Sequence, residues 1–310
     1  MSTKVRSFYS DILIHCYQRM KDGYLQFYNF IDYLVYFSIL CTLAPRFGIK
    51  ILSLCQMPDH THGAFKAYRS KDLAKCMGEL SRYYSRYGQA YPCRGGRLFT
   101  CRYGSAVKYG DKKARTNFIY IGNNPVERRL VQKAEEYRWN YLAYAVSDHP
   151  FSEKLVVRKA SYAMKQAMAE VKSTHDMDRP LSYILLRRLF KPLNGKEQNQ
   201  LIDYIITTYS VIDYAAAIRF FDSYQDMIGA MHYNTGSEYD INEVFTGRSD
   251  ACYAEIANWL TVNLRLKDIH DVFLMPDEKR TNLLFDIHKA TGAPPAQIAK
   301  FLRLLLKTEP

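Results

Sequence analysis

The run Ile49-Lys50-Ile51-Leu52-Ser53-Leu54-Cys55-Gln56-Met57-Pro58-Asp59-His60-Thr61-His62-Gly63-Ala64-Phe65 decides the fold. Its opening apolar residues, Ile49 to Cys55, read as a strand. Met57-Pro58-Asp59 supplies a turn, and a second strand runs from His60 to Ala67. Successive strand residues point to opposite faces, so His60 and His62 project together, about 6–7 Å apart, with Thr61 on the other side. Two imidazoles placed this way can converge on one cation, or can be two unrelated surface histidines. A zinc site asks for a third His, Cys or carboxylate, and a mononuclear iron oxygenase asks for His-x-Asp; the pair alone offers neither.

Working outward from the hairpin, Asp11 to Tyr17 reads as a strand and Leu25 to Phe47 as a helix stopped by Gly48. Beyond the hairpin, Lys71 to Tyr87 is an amphipathic helix and Arg97 to Tyr109 a strand. A helix then starts at Asp111 and is interrupted at Pro125. Strand, helix, strand, strand, helix, strand is the ferredoxin-like split βαβ order, with helices on one face of a small antiparallel sheet. From Phe151 the pattern turns helical: Phe151–His175, Leu181–Leu189, Lys196–Tyr209 and Ile212–Met231 carry 3.6-residue apolar spacing. The fold class is therefore α+β, a ferredoxin-like split βαβ antiparallel-sheet domain followed by an all-helical C-terminal region. The division falls at 1–146, 147–235 and 236–310. The last unit carries two helices, Asp277–Ala290 and Ala296–Leu306, across a Gly/Pro turn. Gln297, Lys300 and Arg303 on its second helix suit either a DNA-reading helix-turn-helix or a plain helical hairpin.

Charge separates the halves. Of the net +12, all lies in residues 1–150, and 61–130 alone carry +11. A field this concentrated suits a polyanion, of which nucleic acid is the commonest, or else forms a solvated basic surface. The apolar share of 48% excludes disorder, and the longest apolar run, Tyr33 to Ala44, is too short to span a bilayer. Seven cysteines without a Cys-x-x-Cys pair read as packed thiols in a reducing cytoplasm.

Four segments in order then carry a resemblance: Phe47 to His62, Gly96-Arg-Leu-Phe-Thr-Cys-Arg-Tyr-Gly-Ser105, Tyr120-Ile-Gly-Asn-Asn-Pro-Val126 and Tyr137-Arg-Trp139. Together they resemble the single-tyrosine HUH transposases, in particular the REP-associated tyrosine transposase group, over roughly residues 10–145. The resemblance implies Tyr120 as catalytic nucleophile, with His60, His62 and Asn124 binding a divalent metal, Mg²⁺ or Mn²⁺. It implies nicking and joining of single-stranded DNA through a 5′-phosphotyrosine at hairpins of repetitive palindromic elements. Partners would be DNA hairpins, with no membrane, and either a monomer or a homodimer in which one subunit's tyrosine helix serves the other's metal site. The location would be cytoplasmic and nucleoid-associated.

Apart from the resemblance, Asn124 before Pro125 also reads as a helix N-cap, which would use the same side-chain oxygen. Nucleic-acid contacts are expected from Arg97, Arg102, Lys108, Lys112, Lys113, Arg115, Arg128 and Arg129, and from Gln297, Lys300 and Arg303. Three departures from the family pattern stand near the site. Thr61 replaces a bulky apolar residue, Asp59 an asparagine, and Arg128-Arg129 the glycine expected after Pro-Val. They motivate an alternative function, a non-catalytic DNA-binding regulator derived from such a transposase.

Overall fold

The computed structural model describes residues 7–87, 98–99, 103–233 and 249–304. Four strands, β1 (Leu13–Arg19), β2 (Lys50–Met57), β3 (His60–Lys66) and β4 (Gly104–Lys108), form one antiparallel sheet in the order β2-β3-β1-β4. This is the split βαβ arrangement read from the sequence. The hairpin β2–β3 pairs Met57 with His60 and Cys55 with His62. β1 then pairs with β3 on one side, Tyr17 opposite His62, and with β4 on the other.

Helices α1 (Phe30–Arg46) and α2 (Ser70–Tyr87) cover one sheet face, packing on Ile14, Cys16, Ile51, Leu54 and Phe65. Helix α3 (Asp111–Glu127) lies on the opposite face, against Leu13, Leu52, Cys55, Met57 and Ala64. The two helices of the split βαβ order, α1 and α2, thus share one face, and the additional helix α3 takes the other. The second face is covered because β2 supplies Leu52, Cys55 and Met57 there, with Leu13 and Ala64 beside them. α1 begins at Phe30 because Asn29 caps it, its side chain accepting from the Ile31 and Asp32 amides while Asp32 accepts from the Asn29 amide. Gly48, at φ 64°, ends it in the left-handed conformation.

The helical remainder is α4 (Tyr162–Asp176), α5 (Tyr183–Phe190), α6 (Gly195–Tyr209), α7 (Tyr214–Ile218), α8 (Tyr224–Tyr233), α9 (Cys252–Asn263), α10 (Asp277–Thr291) and α11 (Pro295–Phe301). Two expected helices are shorter than their apolar spacing suggested, because caps intervene. Ser161 accepts from the Met164 amide and starts α4 there. Asp213 and Ser223 likewise start α7 and α8 separately. α4, α5 and α6 bury Val171, Leu186 and Ile205 in the same core as α1. Each such side chain, removed from water, contributes about 1.5–3 kcal/mol. The end of β2 is buttressed by Tyr137-Arg-Trp139. Tyr137 donates to the Gln56 carbonyl at 2.9 Å, and Trp139 stacks on Tyr33 with centroids 4.4 Å apart. Among the described residues no helix is long and apolar enough to cross a membrane, and the cysteines are unbridged.

Candidate active site

The alternation of β1 and β3 puts His15, Tyr17, His60 and His62 on the face covered by α3. The rings of His60 and His62 lie 4.6 Å apart between centroids, and His15 and His62 5.0 Å apart. From α3, Tyr120 of the same chain approaches His62 at 5.3 Å and His15 at 5.6 Å. The nucleophile candidate thus meets the histidines of its own chain. Asn124 follows one turn later, buried, its Nδ2 donating to the Tyr120 carbonyl at 3.2 Å. α3 continues through Pro125 to Glu127, so Asn124 lies inside the helix and is not an N-cap. The interruption expected at Pro125 does not occur. Proline cannot donate an N–H to the Ile121 carbonyl and its ring crowds that carbonyl, and with only Val126 and Glu127 left in the helix both costs are accommodated.

Hydrogen bonds orient each imidazole. His60 meets Asp59 through Nδ1, and its Nε2 is buried with no hydrogen-bond partner among the described residues. His62 meets His15 through Nδ1, 2.9 Å from His15 Nε2. Both histidines therefore use Nδ1 for support, the pattern in which an imidazole that binds a metal does so through Nε2. Burial, then the Lys108 ammonium and His60, push the His15 pKa down to about 3. Burial and the neighbouring His60, His15 and Arg19 also hold His62 well below its usual value. Burial alone would raise Asp59, yet His60 and Lys300 keep it well below the carboxylate range. Neutral imidazoles with their lone pairs free of protons are the form a cation binds. Imidazole nitrogens and an amide oxygen are donors that divalent ions accept. Among the described residues no group of three or more His, Cys, Asp or Glu is placed to hold a metal.

The basic residues scatter. Lys112, Lys113 and Arg115 are exposed on the first turns of α3, with Arg115 over the Phe221 ring at 5.1 Å. Lys108 is half-buried at the end of β4, Arg128 is half-buried, and Arg129 is exposed at φ 56° just past α3. Arg97 and Arg102 lie outside the described residues. The C-terminal trio does not face outward. Gln297 is buried and donates to the Ser249 carbonyl at 2.8 Å, and Lys300 pairs with Asp59. Arg303 donates to the Tyr28 hydroxyl at 3.0 Å and lies over the Phe273 ring at 4.0 Å. The packing of α11 against residues 25–28 turns all three inward, because its apolar face is anchored by Ile298, Phe301 and Leu302. A groove-entering role for this helix would require that contact to open.

Three residues escaped the sequence reading. His15 and Tyr17 were legible from the period of the strand Asp11–Tyr17, which places them on one face, but an isolated His and one of 26 tyrosines give no spacing to single them out. Asn117, one turn before Tyr120, is buried with both amide atoms unpartnered among the described residues.

The family model described as "Transposase IS200 like" matches residues 9–124. No curated protein matches the chain. One solved structure, described as "Structure of the REP associates tyrosine transposase bound to a REP hairpin", is 14% identical, with a TM-score of 0.40. The match covers 52% of this chain and 97% of that one. The segment that holds the four-stranded sheet, His15, His60, His62, Tyr120 and Asn124 is thus the segment, residues 9–124, that matches the IS200-like transposase family.

Proposed function

We propose that this protein nicks and rejoins single-stranded DNA through a 5′-phosphotyrosine on Tyr120, at hairpins of repetitive palindromic elements. The observation that carries the reading is the convergence of Tyr120, His15 and His62 from three elements beside a buried, partnerless His60 Nε2. His60, His62 and Asn124 would hold a divalent ion, Mg²⁺ or Mn²⁺, which supplies Lewis acidity toward the non-bridging oxygens of the scissile phosphate. The chain's own residues do the rest. His15 and Asp59 fix the two imidazoles. The sheet and α3 exclude water from the face where Tyr120 sits, which is 3% exposed.

In the reaction the Tyr120 oxygen forms a bond to phosphorus as the bond from phosphorus to the 3′ oxygen breaks. The proton lost by the phenol is matched by the one gained at the new 3′-OH. A phenolate leaves more readily than an alkoxide, so an incoming 3′-OH can reverse the step without ATP. Activity on DNA would place the protein at the nucleoid. The burial of Tyr120 also favours a second reading, a DNA-binding regulator that binds hairpins without cutting them.

One experiment separates the two. Purified protein is incubated with end-labelled hairpin oligonucleotides and Mg²⁺ or Mn²⁺, then run on a denaturing gel. A covalent adduct, abolished by Tyr120→Phe and by chelator while hairpin binding survives, supports the nuclease. Salt-sensitive hairpin binding with no adduct from the wild type would support the regulator.

A further inference from the structure

The turn between β2 and β3 presents His60 to the site, and one of the contacts that grip it comes from outside the matched segment. Lys300, on α11, pairs with one oxygen of Asp59, while the other oxygen of Asp59 meets His60 Nδ1. The Asp59 side chain is 13% exposed, that of Lys300 28%, and that of His60 is fully buried. The same turn is held from a second side, because the amides of Gln26 and Phe27 donate to the Pro58 carbonyl at 2.7 and 3.0 Å. That stretch is covered in turn by the C-terminal unit: Leu25 and Tyr28 pack with Ile256, Ile298, Phe301 and Leu302, and the Tyr28 and Phe301 rings meet edge to face at 5.1 Å.

We infer that Lys300 is a positioning residue for the metal site. The C-terminal helical unit, through Lys300 and Asp59, fixes the tautomer and direction of the His60 imidazole. A carboxylate has two equivalent oxygens and a free torsion. Pinned by an ammonium on one oxygen, it presents the other to Nδ1, so that the proton sits on Nδ1 and the lone pair on Nε2. Supports of this kind typically change metal affinity by about 10–100-fold when removed. A partly buried ion pair is a weak source of stability, since desolvation offsets most of its attraction. Its effect here is orientation. The inference also accounts for Lys300 facing inward on a helix whose sequence suits DNA contact. It rests on the reading of His60 and His62 as ligands.

The test is Mn²⁺ binding to the full-length protein without DNA, followed by the electron paramagnetic resonance signal of free Mn²⁺, with a thermal melt of each variant. Lys300→Met keeps the apolar stem and should weaken Mn²⁺ binding about 10-fold, whereas Lys300→Arg should stay within about threefold of the wild type. Because Lys300 acts through Asp59, the double variant Asp59→Asn with Lys300→Met should bind no more weakly than Asp59→Asn alone. Wild-type Mn²⁺ affinity in Lys300→Met would overturn the inference, whether the melt shifts or not. So would loss of hairpin binding in that variant with metal affinity intact, which would make Lys300 a DNA contact. Fully additive losses in the double variant would also overturn it. A wild type that binds no Mn²⁺ is a different failure: it removes the metal reading itself, and this inference with it.

Discussion

His15 Nε2 lies 2.9 Å from His62 Nδ1, so the third histidine of the cluster supports the second and does not converge with it on a common ligand. Removing it leaves His62 Nδ1 without its brace and takes away a ring neighbour of Tyr120. His15→Ala should lower the rate of adduct formation by about 10–100-fold, as loss of a ligand's support does, and leave hairpin affinity unchanged. An unchanged rate would show that His15 is only a packed core residue.

Part of this candidate site is legible in the sequence. The pair His60 and His62 follows from a period of two in an obvious hairpin, and the strand and helix order follows from apolar spacing with Gly48 as a stop. What periodicity does not carry is which sheet face the additional helix α3 covers, since that depends on contacts with β2 residues far from it in sequence. β3 runs through Gly63, where a Cβ would lie 2.3 Å from the Phe65 ring that fills the space. The inward turn of Lys300 could not be read at all, since Asp59 is 241 residues away in sequence and the two meet only through tertiary packing.

Asn117 offers a test of whether a buried polar group is kept for function. Both its amide atoms are partnerless among the described residues, and such groups cost about 1–3 kcal/mol each. Asn117→Leu should therefore raise stability in urea melts by about 1–2 kcal/mol while lowering adduct formation. A variant that is both more stable and fully active would show that the amide has no part in the reaction.

His270 ties the C-terminal unit to the start of α1. Its Nδ1 meets Asp268 at 2.8 Å and its Nε2 lies 3.2 Å from Asp32, with Tyr183 and Arg187 joining from α5. Burial would lower its pKa, but Asp32 and Asp268 raise it to about 9. A raised folded-state value means that this stabilisation is complete below the unfolded value near 6.5 and is lost as pH rises through about 9. The size is on the order of 3 kcal/mol. His15 and His62, held neutral, act in the opposite sense and only below pH 6.5. Urea midpoints should thus fall between about pH 6.5 and 9 in the wild type and stay level over that window in His270→Gln. An equal slope in both proteins would place the titration elsewhere.

Exposure separates the basic residues that can meet phosphate from those already engaged within the chain. Lys112 and Lys113 are exposed at the start of the helix that carries Tyr120, whereas the Arg115 guanidinium lies over the Phe221 ring. For single-stranded DNA each neutralised phosphate adds about 0.7 to the slope of log affinity against log salt. Changing both lysines to glutamine should lower that slope by about 1.4, whatever the oligonucleotide sequence, because phosphate contacts position the strand without reading it. Arg115→Gln should lower it by less, since its charge is partly committed to the ring. If the double lysine variant keeps the full slope, the strand does not run past the N-terminus of α3. The phosphates must then be met by basic residues elsewhere on the sheet face, and the approach of the scissile bond to Tyr120 has to be redrawn from that side.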